Sequence, residues 1–253
     1  MTSTTAYDVI LIIWFILALA TFIALFFVTA PYGRHARRGW GPTLNARLGW
    51  VIMEAPAPII FAACFLAGRE SWTLATFVFL LIWQTHYVHR AFIYPWQKRS
   101  TTKRMPLLVV GIAFVFGLIN TYLVGSHLFS RPGYYADHWM RDPRFLVGLG
   151  IFLIGFVINR WSDGILRGLR LSGETSYLIP SRGLYRWVSC PNYLGEIIEW
   201  IGWAIATWSL AGLAFALWTI ANLAPRARSH HSWYRQQFPD YPPERRALLP
   251  LIW

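Results

Sequence analysis

The chain has 253 residues, 13% of them charged and 56% hydrophobic, with a formal net charge of +12. A soluble domain carries roughly a quarter charged residues, so this composition excludes an ordinary soluble enzyme and points to the bilayer. Two cysteines, Cys64 and Cys190, are too few for a disulfide framework or a thiolate metal site, and both read as core residues.

The first apolar run, from Val9 to Val28, is the clearest. No basic segment precedes it, and it exceeds a signal peptide's apolar region, so it reads as a transmembrane helix closed by Pro31-Tyr32-Gly33. A basic loop with Arg34, Arg37, Arg38 and Arg47 leads to apolar segments over 49–67 and 72–93. Lys98, Arg99, Lys103 and Arg104 precede a span over 106–124, and a mixed-charge loop with Asp137, Arg141 and Asp142 precedes another over 144–158. A polar stretch from Asn159 to Arg186 then reads as a loop. The long apolar region after it, interrupted near Ser209, splits into two helices, and a basic tail begins at Pro225.

This order predicts an all-α polytopic membrane protein with about seven transmembrane helices. The count puts every arginine-rich loop on one side, leaving Arg69, Arg131, Arg141 and Arg144 on the other. The positive-inside rule then places the N-terminus outside and the C-terminus in the cytoplasm. Basic loops between apolar runs fit membrane orientation better than nucleic acid. No repeat or linker separates a soluble domain, so residues 1–253 read as one membrane domain, and no obligate protein partner is inferred. Short loops without targeting signals suggest a bacterial inner membrane.

Ionisable groups inside apolar spans are expensive unless paired or facing a polar cavity. Three places stand out: Glu54, the run His86-Tyr87-Val88-His89-Arg90, and Glu196 with Glu199. Pro56 and Pro58 follow Glu54 and should disturb its helix, and a protonated carboxyl there could donate a hydrogen bond. Glu54 reads equally well as a structural partner for an arginine. Tyr87 could polarise a carbonyl or deliver a proton, or be an interfacial anchor. On an ideal helix His86 and His89 share a face and Tyr87 points elsewhere.

The histidines invite a di-iron reading, but they are few and divided between the two predicted sides, so no metal is inferred. Glu196 and Glu199 need cationic partners, which the neighbouring arginines can supply. The result would be a polar mouth suited to an anionic cofactor. No Gly-x-Gly-x-x-Gly turn stands in a strand-like context, so a nicotinamide cofactor would have to be held by side chains between helices.

The segments Gly183-Leu184-Tyr185, Val188-Ser189 and Asn192-Tyr193-Leu194-Gly195-Glu196-Ile197-Ile198-Glu199-Trp200-Ile201-Gly202 closely resemble the signature of the steroid 5-alpha-reductase family. Ala206 to Leu210, Leu213 to Ala216, His230-His231, Tyr234, Asp240-Tyr241-Pro242 and Arg245 to Pro250 continue the resemblance. Asn159 to Arg170 and Gly173 to Tyr177 are similar to the family's cofactor loop. Upstream, the likeness rests on Tyr32 to His35, Glu54-Ala55-Pro56 and His86 to Arg90.

The resemblance implies a seven-helix membrane reductase that uses NADPH to saturate the double bond of a 3-oxo-4-ene steroid or similar lipid enone. The N-terminal part would form the substrate pocket and the C-terminal part the cofactor site. Glu54 and Tyr87 would hold and polarise the ketone oxygen. Asn159, Asp163, Arg167, Arg170, Tyr177, Asn192, Glu196, Arg226, His230, Tyr234 and Arg245 would line the cofactor, with Tyr32 and Arg34 assigned to the same site. Met53 stands where some steroid-reducing members carry Gln, which removes a polar contact and leaves substrate identity less determined than reaction type.

Related members suggest a polyprenol or enoyl thioester reductase as the alternative. From other classes, a membrane S-adenosylmethionine-dependent methyltransferase also combines several spans with a basic C-terminal region. A lipid carrier or scaffold would use the buried acids only to pair helices.

Overall fold

The computed structural model describes residues 3–97, 103–169 and 177–253. Lys98, Arg99, Arg170 and the Gly173-to-Ser176 part of the cofactor-loop match lie outside them. The described chain is mainly helical, with one antiparallel pairing of β1 (Thr43–Asn45) with β2 (Arg104–Pro106) and a parallel bridge between Val188 and Arg246. Five helical segments are long and apolar enough to cross a membrane: Ala6–Phe27, Ala46–Ala67, Leu107–Phe129, Pro143–Gly168 and Leu210–Gln237. The other two predicted spans correspond to helices of 15 and 17 residues. The chain divides into two compact units: Ala30–Leu146, and Met1–Thr29 together with Val147–Trp253.

In the unit Ala30–Leu146, α2 (Ala46–Glu54) and α3 (Pro56–Ala67) join at Ala55, whose backbone remains helical. Pro56 and Pro58 carry no N–H, so the carbonyls of Ile52 and Glu54 lose their usual helical donors. The helix α4 (Leu74–Val88) is pinned across this junction. Its Trp83 indole donates to the Ala57 carbonyl at 3.0 Å and its Gln84 amide to Pro58 at 2.8 Å. Phe61 stacks on Trp83 at 4.4 Å and meets Phe129 of α6 (Leu107–Phe129) edge-on at 5.0 Å. These rings form the dry centre of the unit.

Beyond α4 the chain widens into a π-helix, His89–Ile93, before α5 (Tyr94–Gln97). Pro95 explains the widening, because it cannot donate to the Ala91 carbonyl as an α-helix requires. The Tyr94 N–H bonds five residues back, to His89. Arg90's carbonyl thereby loses its α-helical donor to His89, while its π-helical donor would be the N–H that Pro95 lacks. The Trp50 indole supplies the missing hydrogen bond at 3.0 Å.

In the second unit, α1 (Ser3–Phe27) packs along α9 (Leu210–Gln237), with the Trp218 indole donating to the Trp14 carbonyl at 3.0 Å. The predicted division of the apolar region is present: α8 (Pro191–Thr207) ends at Trp208, and Ser209 caps α9 by accepting from the Gly212 N–H at 3.0 Å. Two boundaries differ from expectation. The helix α7 (Pro143–Gly168) runs ten residues past the predicted span end, so Asn159, Asp163 and Arg167 belong to a helix rather than a loop. Their spacing of four explains this, because it gathers the polar groups on one face while helical hydrogen bonding continues. Likewise α9 runs through Pro225 to Gln237, so Arg226, His230 and Tyr234 are helical rather than part of a tail. One lost backbone bond does not end a helix packed on both α1 and α8.

Glycines let α7 and α8 touch backbone to backbone. A Cβ on Gly202 would lie 2.7 Å from the Gly148 carbonyl oxygen, and one on Gly155 would enter the Glu199 backbone. Gly202→Ala is therefore expected to lower stability by about 1 to 3 kcal/mol. Gly150 has open space around it, so Gly150→Ala should be neutral or stabilising. Thermal unfolding in detergent checks both, and equal melting temperatures for Gly202→Ala and wild type would contradict the close contact.

Candidate active site

Glu54 and Tyr87 both lie in the unit Ala30–Leu146, at the ends of α2 and α4. The proline junction places Glu54 at a helix terminus, and the π-helix turns the next residues toward it. Arg90 Nε lies 3.3 Å from Glu54 Oε1, with side-chain exposures of 21% and 16%. Glu54 therefore has the arginine partner that the sequence left open. The Arg90 guanidinium also lies 5.3 Å from the Trp50 ring centroid, so Trp50 braces both its backbone and its side chain.

Tyr87 is buried, with its ring 4.7 Å from Trp83 and 4.9 Å from His86. Both His86 and Tyr87 are thus inside the protein, although they are adjacent in a helix. His89 begins the π-helix with its own backbone still helical, so the widened turn follows it. Arg90 and Trp50 were not among the predicted site residues. The signal for Arg90 was present, since a glutamate in an apolar span needs a cation and Arg90 stands in a motif already singled out.

Tyr32 and Arg34 also belong to this unit. Tyr32 packs against the cluster of Trp50, Met105 and Val110. Arg34 stands in a short turn, Gly33–His35, where Gly33 has φ +67, which a side chain would disfavour.

In the other unit three helices present polar residues at intervals of four: Asn159, Asp163 and Arg167 on α7, Asn192 and Glu196 on α8, and Arg226, His230 and Tyr234 on α9. That interval returns each row to one helix face. The close contact of α7 and α8 brings the first two rows together. Asn159 Nδ2 donates to the Asn192 carbonyl at 3.0 Å and to Glu196 Oε2 at 3.4 Å, and Asn192 Nδ2 donates to Asp163 Oδ1 at 3.0 Å. Asn159, Asp163 and Glu196 are all buried.

The α9 row is tied to α8 through Tyr193, which the sequence reading placed in the signature but gave no role. Arg226 Nε donates to its hydroxyl at 3.3 Å, and that hydroxyl lies 3.2 Å from His230 Nε2. Arginine only donates, so the tyrosine accepts from Arg226, and the imidazole tautomer sets which partner donates between Tyr193 and His230. Tyr177 packs edge-on against Trp233 at 4.8 Å. Tyr234 stacks on Tyr241 at 5.2 Å, and the buried Arg245 donates to the Pro180 carbonyl at 2.8 Å. Tyr185 anchors the segment before α8 by donating to the Ser162 carbonyl at 3.4 Å. Burial pushes its ionisation well above the usual tyrosine value, so it remains a donor.

Two cationic groups in this unit have nitrogens that call for an anion. Arg167 Nη1 and Arg245 Nε are buried and have no hydrogen-bond acceptor among the described residues. A charged donor removed from water without an acceptor is costly, and a phosphate oxygen meets that need well. This half of the chain can hold an anionic ligand against a framework of fixed amides, while the Glu54–Tyr87 region can polarise a carbonyl.

The family description 3-oxo-5-alpha-steroid 4-dehydrogenase matches residues 103–253. A steroid 5-alpha-reductase of Gossypium hirsutum is 41% identical over 98% of each chain. The 3-oxo-5-alpha-steroid 4-dehydrogenase 1 of Bos taurus is 40% identical over 93% of each, and that of Homo sapiens is 42% identical over 87% of this chain and 85% of its own. The chain thus belongs to the 3-oxo-5-alpha-steroid 4-dehydrogenase family, the steroid 5-alpha-reductases, and is a membrane oxidoreductase of that type.

Proposed function

We propose that this protein reduces the carbon–carbon double bond of a 3-oxo-4-ene steroid or a similar lipid-like enone, with NADPH as reductant. The observation that carries the reading is near-full-length identity to proteins named as steroid reductases. The buried nitrogens of Arg167 and Arg245 support a phosphate-bearing cofactor. NADPH would be held by Asn159, Asp163, Arg167, Arg170, Tyr177, Asn192, Glu196, Arg226, His230, Tyr234 and Arg245, with Tyr32 and Arg34 contributing. When bound, it supplies a hydride to the enone's β carbon.

As that bond forms, the π electrons of the double bond move toward the carbonyl oxygen, which becomes enolate-like. Tyr87 O–H donates to this oxygen and strengthens as negative charge arrives. Glu54 is the second donor. Arg90 engages Oε1, and in its protonated form the same carboxyl would donate to the ketone through Oε2. The α carbon then takes a proton from water or through Tyr87, which completes a saturated ketone.

The test uses purified protein in mild detergent with NADPH and a panel of enones. Consumption of NADPH with a 3-oxo-4-ene steroid and formation of the saturated ketone supports the reading. NADPH binding without reduction of any steroid, but with turnover of a polyprenol or enoyl thioester, would move the substrate class. Binding of S-adenosylmethionine instead of NADPH would overturn the reaction. Asn192→Ala should weaken NADPH binding about threefold to tenfold, since one hydrogen-bonded contact is lost. Unchanged affinity in a folded variant would remove Asn192 from the cofactor site.

The same reading gives seven crossings, with the N-terminus outside and the C-terminus in the cytoplasm, where NADPH is made. Terminal reporter fusions check this. A C-terminal reporter active only outside the cytoplasm would invert the topology. The relatives above come from a plant and from mammals and do not support the bacterial inner membrane that short loops without targeting signals suggested.

A further inference from the structure

The C-terminal tail is fastened to the segment before α8 by backbone bonds. Ser189 N–H donates to the Arg246 carbonyl at 2.8 Å, Cys190 N–H to Ala247 at 3.1 Å, and Arg246 N–H to Trp187 at 3.0 Å. These three bonds need no side chain. Yet the same place holds a chain of buried side-chain groups that the tail's attachment does not require.

Ser189 Oγ lies 2.7 Å from the Tyr241 hydroxyl and 2.7 Å from His231 Nδ1, and 3.1 Å from the Arg246 carbonyl oxygen. The Arg245 guanidinium lies 5.2 Å from the Tyr241 ring centroid, and its pull on the Tyr241 hydroxyl opposes the rise in pKa that burial causes. Ser189, Tyr241 and Arg245 are all buried.

Arginine has no acceptor, so toward Arg245 the Tyr241 oxygen can only accept, while either hydroxyl of the Ser189–Tyr241 pair can supply the proton between them. In both directions Ser189 fixes the Tyr241 hydroxyl, and with it the ring against which the Arg245 guanidinium lies. At the head of the chain, Arg245 is held by Pro180 and by Tyr241, and its Nε has no acceptor among the described residues. A long side chain loses affinity for an anion when it must be ordered during binding, and prior fixation removes that cost.

We propose that Tyr241, held by Ser189, is a positioning residue that fixes the Arg245 guanidinium for an anionic group of the ligand. In the reading above, which this inference deepens, that group is a phosphate of NADPH. Tyr241 acts through Arg245 and touches no reacting atom. Its hydroxyl sets affinity for the cofactor, and the rate of the reduction step is set elsewhere.

The experiment measures the NADPH dissociation constant, the KM for NADPH, kcat at saturating cofactor and the unfolding temperature. The proteins are the full-length wild type, Ser189→Ala, Ser189→Thr, Tyr241→Phe, Arg245→Ala and the Tyr241→Phe/Arg245→Ala double variant. Tyr241→Phe and Ser189→Ala are expected to raise the NADPH dissociation constant and KM about threefold to tenfold, with kcat and unfolding temperature near wild type. Ser189→Thr, which keeps the hydroxyl, should restore affinity. Arg245→Ala should weaken binding more, and adding Tyr241→Phe to it should change nothing further, because the positioned group is already gone.

Wild-type affinity in Tyr241→Phe, or effects that multiply in the double variant, would overturn the inference and leave the cofactor reading standing. A loss of unfolding temperature that tracks the loss of affinity would show a merely structural tie, with the same consequence. Wild-type affinity in Arg245→Ala would remove Arg245 from the cofactor site and the positioning role with it.

Discussion

Tyr87→Phe is expected to lower enone turnover about a hundredfold to a thousandfold, and Glu54→Gln to lower it less, because an amide N–H is a weaker donor than a carboxylic O–H, with expression and NADPH affinity near wild type in both. Hydride addition makes the carbonyl oxygen more basic than in the ground state, so donors aimed at that oxygen act mainly on the transition state. Phenylalanine keeps the buried ring that packs on Trp83 and His86 and removes only the hydroxyl. Glutamine keeps the shape of Glu54 and an oxygen that accepts from Arg90, so folding should survive. Single-turnover rates and NADPH affinity measured on one preparation separate chemistry from binding. Wild-type turnover in both variants would sink the catalytic assignment.

Arg90→Ala should produce the largest loss of stability, about 3 kcal/mol. The pair with Glu54 is largely shielded, and removing the cation leaves a carboxylate in an apolar setting without its partner. Trp50 would also lose a cation over its ring. The expected signature is non-additive, with Arg90→Ala/Glu54→Gln costing less than the two single changes together. Arg90→Lys should recover part of the stability, because it restores charge without the guanidinium's geometry. A double variant whose loss equals the sum would mean that the two groups do not depend on one another. If Glu54→Gln alone destabilises the protein as much as Arg90→Ala while turnover per folded molecule is unchanged, Glu54 serves only to pair helices.

These two experiments address a question that the sequence raised and could not close. An apolar span with one glutamate needs a partner, but the sequence did not say which. The order of the chain shows Arg90 thirty-six residues from Glu54, on a different helix. Its side chain reaches Glu54 because Pro95 opens the helix into a π turn and Trp50 takes the carbonyl thus left without a donor. The proline could be read in the sequence. The compensating indole on another helix could not.

Apolar run length and sparse charge determined by themselves that the chain is an all-α membrane protein, and the motif from Asn192 to Gly202 determined its family. Both are local properties, set by the cost of burying polar groups and by the order of side chains along one helix. Helix ends were less legible. Hydropathy fell at Asn159 and Pro225, whereas α7 and α9 continued with polar residues on one face. A period of four from Asn159 to Arg167 and from Arg226 to Tyr234 would have predicted this, because a helix ends when its hydrogen bonding ends and not when its hydropathy does. Only the tertiary structure decided that α1 joins the C-terminal unit, that Tyr193 links Arg226 to His230, and that Ser189 and Tyr241 meet beside Arg245. These are contacts between distant segments, 33 residues apart for Tyr193 and Arg226 and 52 for Ser189 and Tyr241. They depend on how helices approach, which glycines at Gly148, Gly155, Gly195 and Gly202 permit by letting backbones touch, and no periodicity within a single segment encodes them.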